Sequence, residues 1–265
     1  MLPADERQAA ALALRAAEST RAGIAPLVQT FPDIDVDDAY RIQLINVGLR
    51  LDGGATVVGH KVGLSSAAMQ QMMGVDEPDY GHLLSDMVLT EQTAADATRW
   101  LLPRVEPEVG FILGADLPGE DCTEADVLAA TEAVTAALEL IDSRIVDWRI
   151  GLADTIADNA SSAGFVLGEA RVKPGDVDLR DIPVELRRNG DVVGVGRSDA
   201  VLGNPATSVA WLARKVASFG VRLKAGHIIL PGSCTRAVDV RPGDVLTGDF
   251  GPLGPVTLRF EGARS

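Results

Sequence analysis

A chain of 265 residues, 46% hydrophobic and 23% charged, is long enough to bury a substantial core and has the composition of an ordinary globular protein. Its 38 acidic residues against 24 basic ones leave a formal charge of −14 with no Lys/Arg cluster, which argues against nucleic acid or anionic membrane as partners. No apolar run approaches the roughly 20 residues needed to cross a bilayer and the N-terminus has no secretory pattern, so the expected location is the cytoplasm; Cys122 and Cys234 show neither metal-ligand spacing nor a disulfide framework.

In chain order, the Ala/Leu/Glu/Arg-rich stretch from residue 3 to about 21 predicts a helix that stops at Ala22-Gly23-Ile24-Ala25-Pro26. A second helix is predicted over 36–51, with Asp35 as N-cap, apolar residues at Ala39, Ile42, Leu44, Ile45 and Leu49, and Asp52-Gly53-Gly54 as its end. Residues 1–54 therefore read as a small helical cap, and 55–265 as a β-rich catalytic body. The body opens with a strand over 56–64, a short helix through Met73 capped by Ser65 or Ser66, and a loop over 74–81. A strand carrying Glu106 follows, then a helix from Thr123 to Ala137 with a capping-box start at Thr123-Glu124-Ala125-Asp126. Asn189-Gly190 between 184–188 and 192–196 signals a type I′ hairpin, and a helix over 205–219 ends at Gly220. Strands over 227–231, 245–250 and 256–260 complete the chain. With no repeat, and with helices inserted into a mostly β body, the pattern fits an α+β fold better than a repeating βαβ unit.

The most informative chemistry lies in Pro103-Arg104-Val105-Glu106-Pro107-Glu108-Val109-Gly110-Phe111. Side chains at i and i+2 of a strand point the same way, so Glu106 and Glu108 would aim two carboxylates at one spot. Glu139 sits in an equally apolar run, Ala136-Ala137-Leu138-Glu139-Leu140-Ile141. Three carboxylates in apolar surroundings call for raised pKa values or a hard cation such as Mg²⁺ or Mn²⁺. A solvated strand face is the plain alternative. Lys61 lies in the apolar strand Val57-Val58-Gly59-His60-Lys61-Val62-Gly63, where it is either solvent-facing or a proton-transfer group whose net pKa shift has no readable sign. Asp79 and Tyr80 are expected in a turn that folds over a pocket or merely bonds its own backbone. The small polar run over 154–164, with Ser161 and Ser162, could present N–H groups and hydroxyls to a carboxylate, and Pro231-Gly232-Ser233-Cys234-Thr235 offers a second rim; either could equally be structural. His60, His82 and His227 are scattered without ligand spacing, which points to structural or surface roles. Gly-x-Ser-x-Gly, Walker and Gly-x-Gly-x-x-Gly patterns are absent.

Together, Gly59-His60-Lys61-Val62-Gly63-Leu64-Ser65, Gly74-Val75-Asp76-Glu77-Pro78-Asp79-Tyr80-Gly81, Pro103-Arg104-Val105-Glu106-Pro107-Glu108, Asp154-Thr155-Ile156-Ala157-Asp158-Asn159-Ala160-Ser161-Ser162 and Leu202-Gly203-Asn204-Pro205 resemble the 2-keto-4-pentenoate hydratase family of the fumarylacetoacetate hydrolase-like superfamily. Within it the chain looks most like the 2-hydroxypenta- and 2-hydroxyhexa-2,4-dienoate hydratases of aromatic and steroid ring breakdown. The resemblance implies a mixed β roll with a helical N-terminal part, and Mg²⁺ or Mn²⁺ on Glu106, Glu108 and Glu139. It also implies Lys61 as acid/base group, Asp79 as pocket residue, Ser161 and Ser162 near the substrate carboxylate, and a homo-oligomer that can join a downstream aldolase. The rival readings are a 4-oxalocrotonate decarboxylase, in which Arg104, Arg144 or Arg236 would meet the second carboxylate, a C–C hydrolase relying on His82, and a non-catalytic metal-binding scaffold.

Overall fold

Both N-terminal helices form where their composition predicts, as Ala4–Thr20 (α1) and Val36–Asp52 (α3), separated by the short Leu27–Thr30 (α2). Asp35 caps α3 by accepting from the Asp38 N–H at 2.8 Å. α1 buries Ala10, Ala11, Leu14 and Ala17, and α3 buries Tyr40, whose ring stacks on Tyr80 at 4.5 Å, so these helices share one apolar core with the strands. The computed structural model describes residues 1–66, 69–71 and 74–262; the far end of the helix expected through Met73 lies outside the described residues.

The strands in chain order are β1 (Val57–Gly63), β2 (Asp79–Leu84), β3 (Arg104–Leu113), β4 (Thr131–Ile141), β5 (Ser162–Leu167), β6 (Pro183–Arg188), β7 (Asp191–Arg197), β8 (Ile228–Leu230), β9 (Val238–Asp239), β10 (Val245–Asp249) and β11 (Pro255–Arg259). Further α-helices among the described residues include Glu124–Ala130 (α4), Leu152–Ala157 (α5) and Pro205–Ala217 (α6). Asn189 and Gly190 join β6 to β7 with φ of 52° and 93°, the left-handed pair a type I′ hairpin requires.

The larger sheet is mixed, in the order β2-β1-β8-β3-β4-β5 with β9 added to β3. The smaller sheet is antiparallel, β11-β10-β6-β7, and packs through β10 and β11 against β4, so that Leu138 shares one core with Leu246, Phe250, Val256 and Leu258. β1 and β8 run parallel and approach so closely that a Cβ on Gly59 would fall 1.8 Å from the Ile228 carbonyl oxygen. Three strand spacings of about 4.8 Å would hold β1 and β4 roughly 14 Å apart in a flat sheet. Yet a side chain of β1 lies 3.4 Å from one of β4, so the sheet curls into a roll and its concave face becomes the site.

Two expectations fail locally. The helix starting at Thr123 ends at Ala130, well short of Ala137, and the chain continues as β4. Pairing with β3 and β5 overrides the helix propensity of the alanines, which serve instead as small contacts: Cβ atoms built on Gly110 and Gly168 would lie 3.4 Å from Ala137 and Ala136. Asp79 and Tyr80 are not in a turn. They begin β2, paired as Gly63↔Asp79 and Val62↔Tyr80, and both are buried.

Candidate metal centre and pocket

Glu106 and Glu108 occupy alternate positions of β3 and share its concave face, and the β3–β4 register sets Glu139 directly opposite Glu106. One carboxylate oxygen from each comes within 4.8 Å of the others. Glu108 and Glu139 are fully buried, which removes the solvated-strand reading, while Glu106 is partly exposed. Glu108 Oε2 accepts from the Gly232 N–H at 2.6 Å and Glu139 Oε1 from the Ser162 hydroxyl at 2.7 Å. Their other oxygens, Glu108 Oε1 and Glu139 Oε2, are buried without a hydrogen bond.

Lys61 reaches in from β1. Its Nζ lies 3.4 Å from Glu139 Oε2 and donates to the Ala160 carbonyl at 2.9 Å. Burial disfavours its charge, but Glu139, Glu106, Asp79 and Glu108 outweigh that, so the pKa is raised and the group is an ammonium at neutral pH. Asp79 follows on the same face. A Cβ on Gly63 would sit 2.2 Å from Asp79 Oδ1 and 3.5 Å from Lys61 Nζ, so only glycine there leaves room for the carboxyl. Asp79 Oδ2 accepts from Thr155 at 3.2 Å, and Oδ1 is buried without a partner. Burial raises its pKa, against the lowering effect of Lys61 and the Thr155 bond.

The turn between α5 and β5 holds three consecutive residues, Asn159, Ala160 and Ser161, at φ of 56°, 49° and 56°. A run of left-handed non-glycine residues is costly and persists only where surrounding contacts impose it. Here it directs the Ala160 carbonyl at Lys61 and leaves the Ser161 hydroxyl buried without a hydrogen bond, with Ser162 on Glu139. Ser233 donates to the Thr235 carbonyl at 2.8 Å and lines a cavity of about 710 Å³ together with Val62, Ser65, Arg104, Glu106 and Arg236. Arg144 is elsewhere engaged: buried, it forms an ion pair with Asp158 and donates to the Asp158 carbonyl at 2.6 Å. His82 lies on the reverse face of β2, bonded to Gln43, and cannot serve the hydrolase reading. Thr155, the Ala160 carbonyl and the Gly232 N–H complete the surroundings. Thr155, Ala160 and Gly232 all lay in the two polar runs singled out from sequence, but nothing there marked their partners.

The donor set fits a hard divalent cation. Desolvation, with the neighbouring carboxylates, raises Glu106 to about 7 and Glu108 well above its ordinary value, and Glu139 is raised by burial despite Lys61. One ammonium cannot neutralise four buried or half-buried carboxyl groups, three of which bring an oxygen within 4.8 Å of one another. Oxygen-only ligands of this kind select Mg²⁺, Mn²⁺ or Ca²⁺ over softer metals.

The family described as fumarylacetoacetate (FAA) hydrolase C-terminal matches residues 59–261. The chain is 44% identical to a 2-keto-4-pentenoate hydratase of Paraburkholderia xenovorans (strain LB400), covering 97% of this chain and 95% of the relative. It is 40% identical to the 2-hydroxyhexa-2,4-dienoate hydratase of Comamonas testosteroni, covering 94% and 93%. Among solved structures, 4-oxalocrotonate decarboxylase from Pseudomonas putida G7, complexed with magnesium and adipate, superposes with a TM-score of 0.94 at 36% identity, covering 98% of this chain and 99% of that one.

Proposed function

We infer, for a chain that belongs to the fumarylacetoacetate hydrolase family and within it to the 2-keto-4-pentenoate hydratases, that it is a hydro-lyase adding water to 2-hydroxypenta-2,4-dienoate or 2-hydroxyhexa-2,4-dienoate. The product is a 4-hydroxy-2-oxo acid. The observation that carries this reading is the convergence of Glu106, Glu108 and Glu139 beside the Lys61 ammonium, with Glu106 on the wall of the cavity. In this reading the three glutamates hold Mg²⁺ or Mn²⁺, the helices of 1–54 cap a catalytic body of 55–265, and the cavity takes the substrate.

When bound, the divalent ion supplies Lewis acidity to the 2-oxygen of the substrate. The protein's own groups do the rest. Ser161, with its free buried hydroxyl, and Ser233 on the cavity wall bind the substrate carboxylate, while Ser162 fixes Glu139. The first proton must reach C5 of the dienol to give the 2-oxo-3-enoate, water then adds at C4, and a last proton arrives at C3. Lys61 Nζ, held by Ala160, is the cationic donor beside the developing enolate charge. Asp79 Oδ1, in a carboxyl whose pKa burial raises and whose other oxygen Thr155 holds, is the second proton carrier. Lys61→Ala should lower turnover far more than cation binding; equal losses would make Lys61 structural.

A decarboxylase reading is favoured by two observations, the 0.94 superposition on 4-oxalocrotonate decarboxylase and the presence of Arg104 and Arg236 on the cavity wall. Offering the purified protein both acids, and following dienoate absorbance and CO₂ release, separates the two. CO₂ from the dicarboxylate without hydration of the monocarboxylate would overturn the hydratase assignment. Self-association belongs to the same proposal, since the sheet-edge strand β7 exposes Val192, Val193 and Val195, as does a complex with the aldolase that would consume the product.

A further inference from the structure

The left-handed turn between α5 and β5 lies directly on β2, and a glycine is what lets it lie there. Gly81 shares the face of Asp79 and stands opposite Lys61 in the β1–β2 register. A Cβ on it would fall 2.3 Å from the Asn159 carbonyl oxygen, so the turn rests on bare backbone. That close approach brings the next carbonyl, that of Ala160, within 2.9 Å of Lys61 Nζ, which donates to it. Three consecutive residues in left-handed backbone have to be held in this place against their own preference.

The hold comes from the side chain of Asn159. β2 ends the larger sheet, and Tyr80, His82 and Leu84 turn main-chain groups to its open side. Gln43 Nε2 donates to the Tyr80 carbonyl at 2.9 Å, and the Asn159 amide serves both groups of His82. Its Oδ1 accepts from the His82 N–H at 2.7 Å and its Nδ2 donates to the His82 carbonyl at 2.9 Å. A primary amide answers such a pair with one acceptor and one donor of its own, and asparagine tolerates left-handed backbone better than most residues. The flanking residues are tied elsewhere. Asp158 is bound to Arg144, the Ser161 carbonyl accepts from the Asp142 N–H at 2.8 Å, and Ser162 is paired with Ile141 as the start of β5. Between those ties, Asn159 and Ala160 reach β2 and β1 through the side chain of one and the carbonyl of the other.

We propose that Asn159 is a positioning residue for Lys61: by clamping the turn to the edge of β2 it fixes the Ala160 carbonyl, and that carbonyl fixes where the ammonium delivers its proton. This role rests on the reading of Lys61 as the proton donor of a hydratase. The cation should be insensitive to the clamp, because Glu106 and Glu108 lie on β3 and the Ser162 hydroxyl that bonds Glu139 belongs to β5. Binding of the substrate carboxylate should be spared as well, since Ser161 is anchored through Asp142.

The test pairs Asn159→Gly, which keeps the left-handed backbone and deletes the clamp, with Gly81→Ala, which pushes the turn off β2 from the strand side. In dienoate hydration each should lower kcat by about 10- to 100-fold, while KM and the Kd for Mg²⁺ stay within about 3-fold. On the residual turnover of Lys61→Ala, adding Asn159→Gly should cost no more than about 2-fold further, because the ammonium through which the clamp acts is gone. Hydrogen exchange needs no substrate: the His82 amide, deprived of Oδ1, should exchange faster in Asn159→Gly, with the amides of β3 and β4 unchanged. Full kcat in either variant, an equal fall in cation affinity, an undiminished further loss in Lys61→Ala, unchanged exchange at His82, or an Asn159→Gly chain that does not fold would each overturn the proposal. A parent that hydrates neither dienoate, with His82 exchange altered as expected, would instead place the failure in the hydratase reading and leave the clamp standing.

Discussion

Two buried charged clusters lie within a few residues of one another in this fold, and they are built on opposite principles. Arg144 and Asp158 close their own charge: the guanidinium pairs with the carboxylate and donates to the Asp158 carbonyl, and the Arg144 N–H reaches Asp158 Oδ2 at 2.9 Å. Glu106, Glu108, Glu139 and Asp79 share one ammonium, Lys61, which pairs with Glu139 Oε2, and oxygens of Glu108 and Asp79 keep no hydrogen-bond partner. A cluster that satisfies itself holds structure together. One left with surplus negative charge and too few partners is prepared for something that arrives from outside; burial raises carboxyl pKa values in both clusters, Asp158 to about 6 and Glu106 to about 7, so it is the missing partners that set them apart.

The sharpest way to break this contrast is to remove one acceptor from the open cluster. Glu108→Gln should cost on the order of 10³-fold or more in turnover and abolish tight cation binding, beyond the roughly 10- to 100-fold typical of losing an outer partner. Kinetics and calorimetry read both, and retention of either would contradict the assignment. In the closed cluster, Arg144→Ala should instead destabilise the fold by about 3–5 kcal/mol in chemical denaturation, because it strands the buried Asp158, while the folded fraction turns over within a few-fold of the parent. Ser162→Ala removes an outer hydrogen bond from Glu139 and should weaken the cation by about 10- to 100-fold with the fold intact.

The smallest effect is a pH dependence of the cation-free protein. Glu106 rises from 4.5 to about 7 in the fold through desolvation. A carboxyl whose folded pKa is raised adds stability below its unfolded value and loses it as pH climbs through the folded one. The cation-free protein should therefore melt a few degrees lower at pH 8 than at pH 5, where about 1 kcal/mol corresponds to roughly 2–4 °C. Added Mg²⁺ should reverse the loss, with an affinity that strengthens from pH 6 to pH 8. A cation-free melting temperature that rises over the same range would show that the carboxyl groups are not held against their charge.

The glutamates were legible in sequence because strand periodicity is rigid: i and i+2 share a face, and a carboxylate inside Leu138-Glu139-Leu140 has few alternatives to burial. The α+β class, the hairpin at Asn189-Gly190 and the capped helices were legible for the same local reasons. Lys61 was ambiguous, since whether it meets solvent or Glu139 depends on a curl that brings strands far apart in sheet order together. The Ala160 carbonyl was hidden because alanine carries no sign of a left-handed backbone. The segment over 131–137 misled because its alanines favour a helix in isolation, whereas their small size is what lets β4 pack among Gly110 and Gly168. The three histidines looked scattered for a related reason: only the β1–β2 register and the position of His227 beside β8 assemble them.

The most direct measurement is the loss of 2-hydroxypenta-2,4-dienoate absorbance by the purified protein, before and after chelation, and again after adding back Mg²⁺ or Mn²⁺. Turnover that collapses on chelation and returns with the cation, in the parent but not in Glu108→Gln, is the expected result. Undiminished turnover in excess chelator would mean that the three glutamates do not form the centre on which this chemistry depends.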